Sequence, residues 1–280
     1  VYPHRYGKNS YQGAIIMIYR DHFQNYKSYG IQKAQLIIAD IPYNLGNNAY
    51  ASNPQWYKNG DNTNGESNLA NSEFFDTDKD FRPAEFMHFC SKMLRKEPKE
   101  KSKSPCMIVF CEFEQQFSLI ELGKRYGLNK YINLVFRKNF SAQVLKANMK
   151  VVGNCEYALL LYREKLPKFN NHGKMIMNCM DWTKDTKSKK IHPTQKPIEL
   201  LTKLIKIFTD EGDVVIDPCA GSGSTLVSAI QCNRIVYGFE IKKDFYENAK
   251  RWIEDTTSIG MNKDVDNPTL FEIDNKQDTT

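Results

Sequence analysis

With 280 residues, 41% of them hydrophobic, the chain is long enough to bury a full core as one large domain. No apolar run approaches the roughly 20 residues a bilayer span requires and no signal peptide opens the chain, so a soluble, cytoplasmic protein without a membrane partner is expected. The formal net charge is +6, and the seven cysteines are odd in number with no Cys-x-x-Cys pair, which argues for buried thiols and against a disulfide framework or a metal site.

In chain order, residues 14–19 read as a strand ending near Asp21, and residues 36–39 as a short apolar strand ending at Asp40. Residues 44–82 carry nine Asn and no helical or strand period, as expected of a long mobile loop. A helix is predicted from Pro83, burying Phe86, Phe89, Cys90, Met93 and Leu94. Then follow a strand over 107–110, a helix through Phe117, Ile120 and Leu122 ending near Gly127, and a strand over 131–136.

Residues 137–190 hold twelve Lys or Arg against four acids, interleaved with Phe140, Tyr157, Tyr162, Phe169 and Trp182. Charge runs are commonly solvated faces. Cations mixed with aromatic rings also suit a nucleic-acid surface, the cations meeting phosphates and the rings meeting bases. On that reading Lys138, Lys146, Lys150, Lys168 and Lys174 are the candidate contacts. Beyond a strand over 157–162 the prediction is a helix over 197–209, a strand over 214–216 with its helix, a strand over 235–239 and a last helix capped by Asp244. Residues 255–280, with six acids against two Lys, read as a poorly ordered acidic tail. The alternation of strands and helices predicts an α/β domain over residues 1–254, with a mostly parallel sheet covered on both faces.

Two segments carry chemistry. After the 214–216 strand comes Asp217-Pro218-Cys219-Ala220-Gly221-Ser222-Gly223-Ser224-Thr225, a Gly-rich turn whose backbone can approach a ligand closely. Twenty-three residues after Asp217, Glu240 ends the next apolar strand behind Phe239, where a carboxylate can accept two ribose hydroxyls. The pair suggests a nucleoside cofactor. At the end of the 36–39 strand stands Asp40-Ile41-Pro42-Tyr43. Pro42 holds Ile41 extended, so that its carbonyl and the Asp40 carboxylate can face one amino group whose aromatic ring stacks on Tyr43.

These residues resemble the amino-methylating DNA methyltransferases. Asp40 to Tyr43 is similar to the family's Asp-Pro-Pro-Tyr catalytic motif, with Ile41 in place of the first proline. Asp217 to Thr225 is similar to its cofactor motif, and His192-Pro-Thr-Gln-Lys-Pro197 to the segment preceding the cofactor strand. Catalytic motif first and cofactor motif last is the order of the beta class. The resemblance implies a Rossmann-like, seven-stranded-type fold, S-adenosylmethionine as cofactor and a bacterial, phage or mobile-element origin. Residue by residue it implies that Glu240 takes the ribose, Asp21 the adenine amino group of the cofactor, and Gly221 to Gly223 the methionine portion. Thr194, Gln195 and Lys196 would close over that end, with Lys196 as partner of the carboxylate. His192 is read as a structural hydrogen-bonding residue.

The implied reaction is transfer of a methyl group to the exocyclic N6 of an adenine flipped out of duplex DNA, since a stacked amino group cannot align. Two alternatives stay open: N4 of cytosine, for which the family tends to carry Ser at the position of Asp40, and a catalytically silent DNA-binding subunit of the same fold. The stretch between Glu164 and Ile191 is short for target recognition. Residues 44–82 or a second subunit, a homodimer included, would share that task, and a cognate restriction endonuclease is a candidate partner.

Overall fold

A computed structural model of the chain describes residues 9–11, 14–43, 81–139, 143–146, 151–183 and 195–265. The strands are β1 (Asn9–Tyr11), β2 (Ala14–Tyr19), β3 (Leu36–Asp40), β4 (Cys106–Cys111), β5 (Lys130–Lys138), β6 (Gln143–Lys146), β7 (Val151–Gly153), β8 (Cys155–Tyr162), β9 (Cys179–Trp182), β10 (Val214–Asp217) and β11 (Ile235–Phe239). The helices are α1 (Pro83–Met93), α2 (Gln115–Arg125), α3 (Ile198–Phe208), α4 (Ser224–Ile230) and α5 (Lys243–Val265), with a 3-10 helix at Phe23–Tyr29. Nine strands form one sheet in the order β1-β2-β11-β10-β3-β4-β8-β5-β9, while β6 and β7 pair as a separate hairpin.

The central strands are apolar on both sides because both faces of the sheet are covered. Alternate residues divide between two cores. Leu36, Ile38, Ile108 and Phe110 pack with Leu201, Leu204, Leu226 and Ile253 from α3, α4 and α5. Ile37, Ala39, Met107 and Val109 pack with Phe86, Phe89, Cys90 and Leu119 from α1 and α2. The period of two along each strand thus sorts side chains between helix layers.

Strand β3 pairs in parallel with both β10 and β4. The chain leaves β3 toward β4 and leaves β10 toward β11, so the winding reverses between β3 and β10. Ligands of open α/β sheets bind in the crevice beyond the carboxyl ends of strands at such a switch point. Asp40 and Asp217 close the two strands that flank it.

The mostly parallel sheet holds, with two departures that the sequence did not show. Strand β8 runs antiparallel to both β4 and β5, and β1 antiparallel to β2. The basic region contains the β6–β7 hairpin and β9, which pairs in parallel with the edge of β5. The helix predicted through Phe117, Ile120 and Leu122 is α2; Phe117 is 62% exposed on it, and the buried residues are Gln116, Leu119 and Gly123. The chain does not end its order at 254, because α5 continues to Val265 and buries Thr257 one turn after Ile253. Residues 266–280 lie outside the described residues, as does the 44–80 part of the predicted loop.

Candidate active site

The Gly-rich turn joins β10 to α4 with Gly221 at φ +50° and Gly223 at φ +82°, both in the left-handed region where a side chain is strained. The turn is tied to the neighbouring strand: Ala220 N donates to the Phe239 carbonyl at 2.8 Å, and Gly221 N to Glu240 Oε2 at 2.8 Å. The other carboxylate oxygen, Glu240 Oε1, accepts from Lys242 N at 2.8 Å. The Ile241 amide also bonds this carboxylate; with two lone pairs on each oxygen, Glu240 still keeps acceptor capacity for a hydroxyl donor. Burial raises its pKa, with the backbone amides and Lys242 opposing.

Asp21 lies on the segment leaving β2, the strand that pairs with β11, and Glu240 N donates to the Tyr19 carbonyl at 3.0 Å. The Asp21 carboxylate accepts from Tyr29 Oη at 2.6 Å, Asn25 Nδ2 at 2.7 Å and His22 N at 2.7 Å. Burial works against its charge, yet these donors outweigh it and lower the pKa. Asp217 is 2% exposed and accepts from Cys219 N at 3.0 Å; burial pushes its pKa up to about 7. Pro218, Ala220, Ser222 and Ser224 are buried around the turn, and Cys219 is half-buried. Phe239 has its ring packed in the core on Tyr19 and Phe89, and its carbonyl accepts from the turn at Ala220 N.

Across the crevice, Lys196 precedes α3 and is buried, with Nζ 2.5 Å from Asp40 Oδ2, 2.8 Å from Glu156 Oε1 and 3.3 Å from Tyr43 Oη. Three rings surround this ammonium, Phe110 at 5.1 Å, Tyr43 at 5.5 Å and Trp182 at 5.7 Å. Lys196 is therefore placed at the catalytic motif rather than in the Gly-rich turn. Tyr43 Oη donates to Glu156 Oε1 at 2.5 Å, and Lys138 pairs with Glu156 Oε2. Burial opposes the charge on Glu156, but Lys196 and Lys138 outweigh it and hold the carboxyl at about 2. Asp40 moves the other way: burial raises its pKa, with Glu156 adding to the shift and Lys196 opposing it. Its second oxygen, Oδ1, is buried and has no hydrogen-bond partner among the described residues.

Ile41 replaces a proline without leaving the segment loose. Its amide, which proline lacks, donates to the Phe110 carbonyl at 3.3 Å and extends the pairing of β3 with β4. The Pro42 carbonyl accepts from Gln115 Nε2 at 2.9 Å, so α2 also grips the motif. Gln195 is half-buried beside Lys196; Thr194 and His192 lie outside the described residues.

The proposed DNA contacts divide. Lys138 reaches the site but is mostly buried, with its ammonium 5.1 Å from the centre of the Trp182 ring. Lys168 is corrected: it is 8% exposed and bonded to Asp210 at 2.6 Å and Asp213 at 2.7 Å, on the amino edge of the sheet. Lys174 is exposed on a turn whose neighbour Asn170 bonds Ile207 at the end of α3, also away from the crevice. For Lys146 only the backbone is described, and Lys150 lies outside the described residues. A cavity of about 310 Å³ at the carboxyl ends of β5 and β9 is lined by Arg137, Lys138, Asn139, Asp181, Trp182 and Thr183.

The Gly-rich turn and the Asp-x-Pro-Tyr motif thus follow the two strands that flank the switch point, the place where α/β enzymes of the transferase kind bind their ligands. The profile of the N6/N4 DNA methylase family matches residues 34–251, and the chain belongs to that family. It is 25% identical over 264 residues to the type II methyltransferase M2.DpnII of Streptococcus pneumoniae, covering 89% of this chain and 91% of that one. It is 24% identical over 273 residues to the DNA adenine methyltransferase YhdJ of Escherichia coli (strain K12), covering 90% and 85%. The solved M1.HpyAVI–SAM complex shares the fold at a TM-score of 0.59 and 20% identity, covering 85% of this chain and 99% of that one. The protein is thus a DNA methyltransferase of the N6/N4 class, dependent on S-adenosylmethionine. The donor set fits that cofactor, since Glu240 keeps free acceptor capacity beside a turn that presents backbone instead of side chains. Among the described residues no group of three or more His, Cys, Asp or Glu could hold a metal ion, and no helix is long and apolar enough to cross a membrane.

Proposed function

We propose that the chain methylates the exocyclic N6 of an adenine flipped out of duplex DNA. The observation that carries this reading is Asp40 Oδ1, a buried carboxylate oxygen without a partner among the described residues while Lys196 holds Oδ2. An amino group conjugated to a ring is a weak nucleophile. Donating one hydrogen to Oδ1 and the other to the Ile41 carbonyl localises its lone pair away from the ring, and Tyr43 offers the face on which that ring stacks. The cofactor supplies the electrophilic methyl group. Asp40 Oδ1 is also the acceptor for the proton the nitrogen loses, and burial makes it a better base by raising its pKa.

Adenine is favoured because an ionised carboxylate accepts more strongly than the hydroxyl that the family tends to place there for cytosine. The relative YhdJ, named a DNA adenine methyltransferase, aligns with 90% of this chain and supports the same reading. By analogy with the type II relative M2.DpnII, a cognate restriction endonuclease would be the companion activity. Nucleoside mass spectrometry of duplex DNA methylated by the purified protein tests the base directly. The expected product is N6-methyladenine, and N4-methylcytosine alone would overturn the assignment.

A further inference from the structure

We infer that Glu156, which belongs to neither motif, is a positioning residue for methyl transfer: it fixes the Tyr43 ring and, through Lys196, the Asp40 carboxylate. Glu156 stands at the start of β8, the one interior strand that enters the sheet at the carboxyl edge, opposite Phe136 on β5. It is 8% exposed in a strand whose later residues Ala158, Leu159 and Leu161 are fully buried. A carboxylate in such a strand loses several kcal/mol of hydration, which its partners must offset. Two of its partners, Tyr43 and Lys196, lead to the catalytic motif.

Oε1 accepts from both Tyr43 Oη and Lys196 Nζ, and Oε2 pairs with Lys138. The shared acceptor Oε1 couples the stacking face to the cation that orients Asp40. With Lys196 drawn between the two acids, Asp40 Oδ2 is occupied and Oδ1 is the oxygen left for the base. Without Glu156, Lys196 would pair with Asp40 alone and the Tyr43 hydroxyl would lose its acceptor at 2.5 Å and turn toward Asp40, so both groups could drift by the fraction of an ångström that alignment does not tolerate. An ordinary structural ion pair would hold the fold equally well wherever it stood. Glu156 instead bonds the Tyr43 hydroxyl directly and reaches Asp40 through Lys196.

The inference rests on Asp40 acting as the acceptor for the base amino group, whichever base is bound. The test therefore compares wild type, D40A and E156Q, with the melting curve and S-adenosylmethionine affinity of each measured first. E156Q keeps the shape and an acceptor but removes the charge. Its single-turnover methyl-transfer rate should fall about tenfold or more while cofactor Kd stays within about twofold. The acid limb of its pH–rate profile should also move to lower pH, because the negative charge that raises the Asp40 pKa is gone and Lys196 is left to lower it. The other titratable groups facing Asp40 and Glu156, namely Tyr43, Lys138, Cys111, Glu112, Asp217 and Cys219, are unchanged in the variant. A role confined to folding would lower the melting point without moving that limb.

Full activity in D40A would defeat the site reading itself. An inactive D40A beside a folded E156Q with wild-type rate and profile would overturn the role of Glu156 alone. If E156Q does not fold, Y43F decides, since it keeps the ring and removes only the hydroxyl that Glu156 accepts. A several-fold slower transfer in Y43F at unchanged cofactor affinity supports the inference, and a wild-type rate overturns it.

Discussion

Lys196 Nζ lies 2.5 Å from Asp40 Oδ2, although 156 positions separate the two residues in the chain. An ammonium has three donors, and those of Lys196 are directed at Asp40, Glu156 and Tyr43. No donor remains for the cofactor carboxylate, the partner that the motif resemblance implied. K196M should therefore slow methyl transfer by roughly 100-fold, the range for losing one preorganised charged donor at a reacting centre. Cofactor affinity should stay within a few-fold. Isothermal titration with S-adenosylmethionine checks this, and an affinity loss larger than the rate loss would return Lys196 to the cofactor.

The two glycines of the cofactor turn should differ when a side chain is added. At Gly221 a Cβ would find nothing nearer than the Cys219 carbonyl at 3.9 Å, so G221A carries only the left-handed backbone strain, about 1–2 kcal/mol. At Gly223 the same atom would stand 2.9 Å from Ala249 Cβ and 3.4 Å from Ala249 Cα, so α5 would have to move as well. G223A should cost about 1–3 kcal/mol beyond G221A. Denaturant melts of the two variants decide, and equal destabilisation would mean that the α4–α5 contact is not tight.

Legibility in the sequence followed strand direction. Asp40, Asp217 and Glu240 all follow apolar runs, because parallel strands bring their carboxyl ends to one edge and an acid just after the run is placed in the crevice. Glu156 sits at the same edge, but β8 is antiparallel, so the acid comes before the apolar residues and resembles an ordinary strand start. Only pairing with β4 and β5 reveals its place. Strand β9 is four residues long among charges, and its existence depends on the β5 edge rather than on local pattern. In α2 the large residues misled: Phe117 stacks outside on Phe113 at 5.6 Å, while Leu119 and Gly123, four apart, form the inner face. Beyond Asp255 the polar composition hid the continuation of α5, which buries Thr257.

Asp217 should impose a pH dependence on stability. Burial raises its pKa from an ordinary 3.8 to about 7 in the folded protein. Between those values the folded state holds a proton that the unfolded chain has released, so stability falls as pH rises across this window. Its contribution is fully present below about pH 4 and is lost as pH passes through 7. D217N mimics the protonated form and keeps an oxygen for the Cys219 amide. The stability difference, D217N minus wild type, should grow from pH 4 to about 7 and level off above it in urea titrations, whereas a flat difference would show that Asp217 titrates normally.

Arg137 and Lys168, both within the basic region, should behave oppositely toward DNA. The Arg137 side chain is 63% exposed, lines the cavity at the carboxyl edge and is held by Asp181 at 2.7 Å, a surface pair that a phosphate can displace. R137A should weaken binding to all duplexes and reduce the slope of log K against log salt by about one. Lys168 is bonded to Asp210 and to Asp213, which also accepts from Arg95 Nη1 at 2.7 Å. K168M should leave that slope unchanged and instead destabilise the fold by roughly 1.5–3 kcal/mol, the range for hydrogen bonds to charged groups. Fluorescence anisotropy across a salt series, paired with thermal melts, separates the two effects. A reduced slope in K168M would place the amino edge of the sheet on DNA, and an unchanged slope in R137A would remove the cavity at β5 and β9 from the interface.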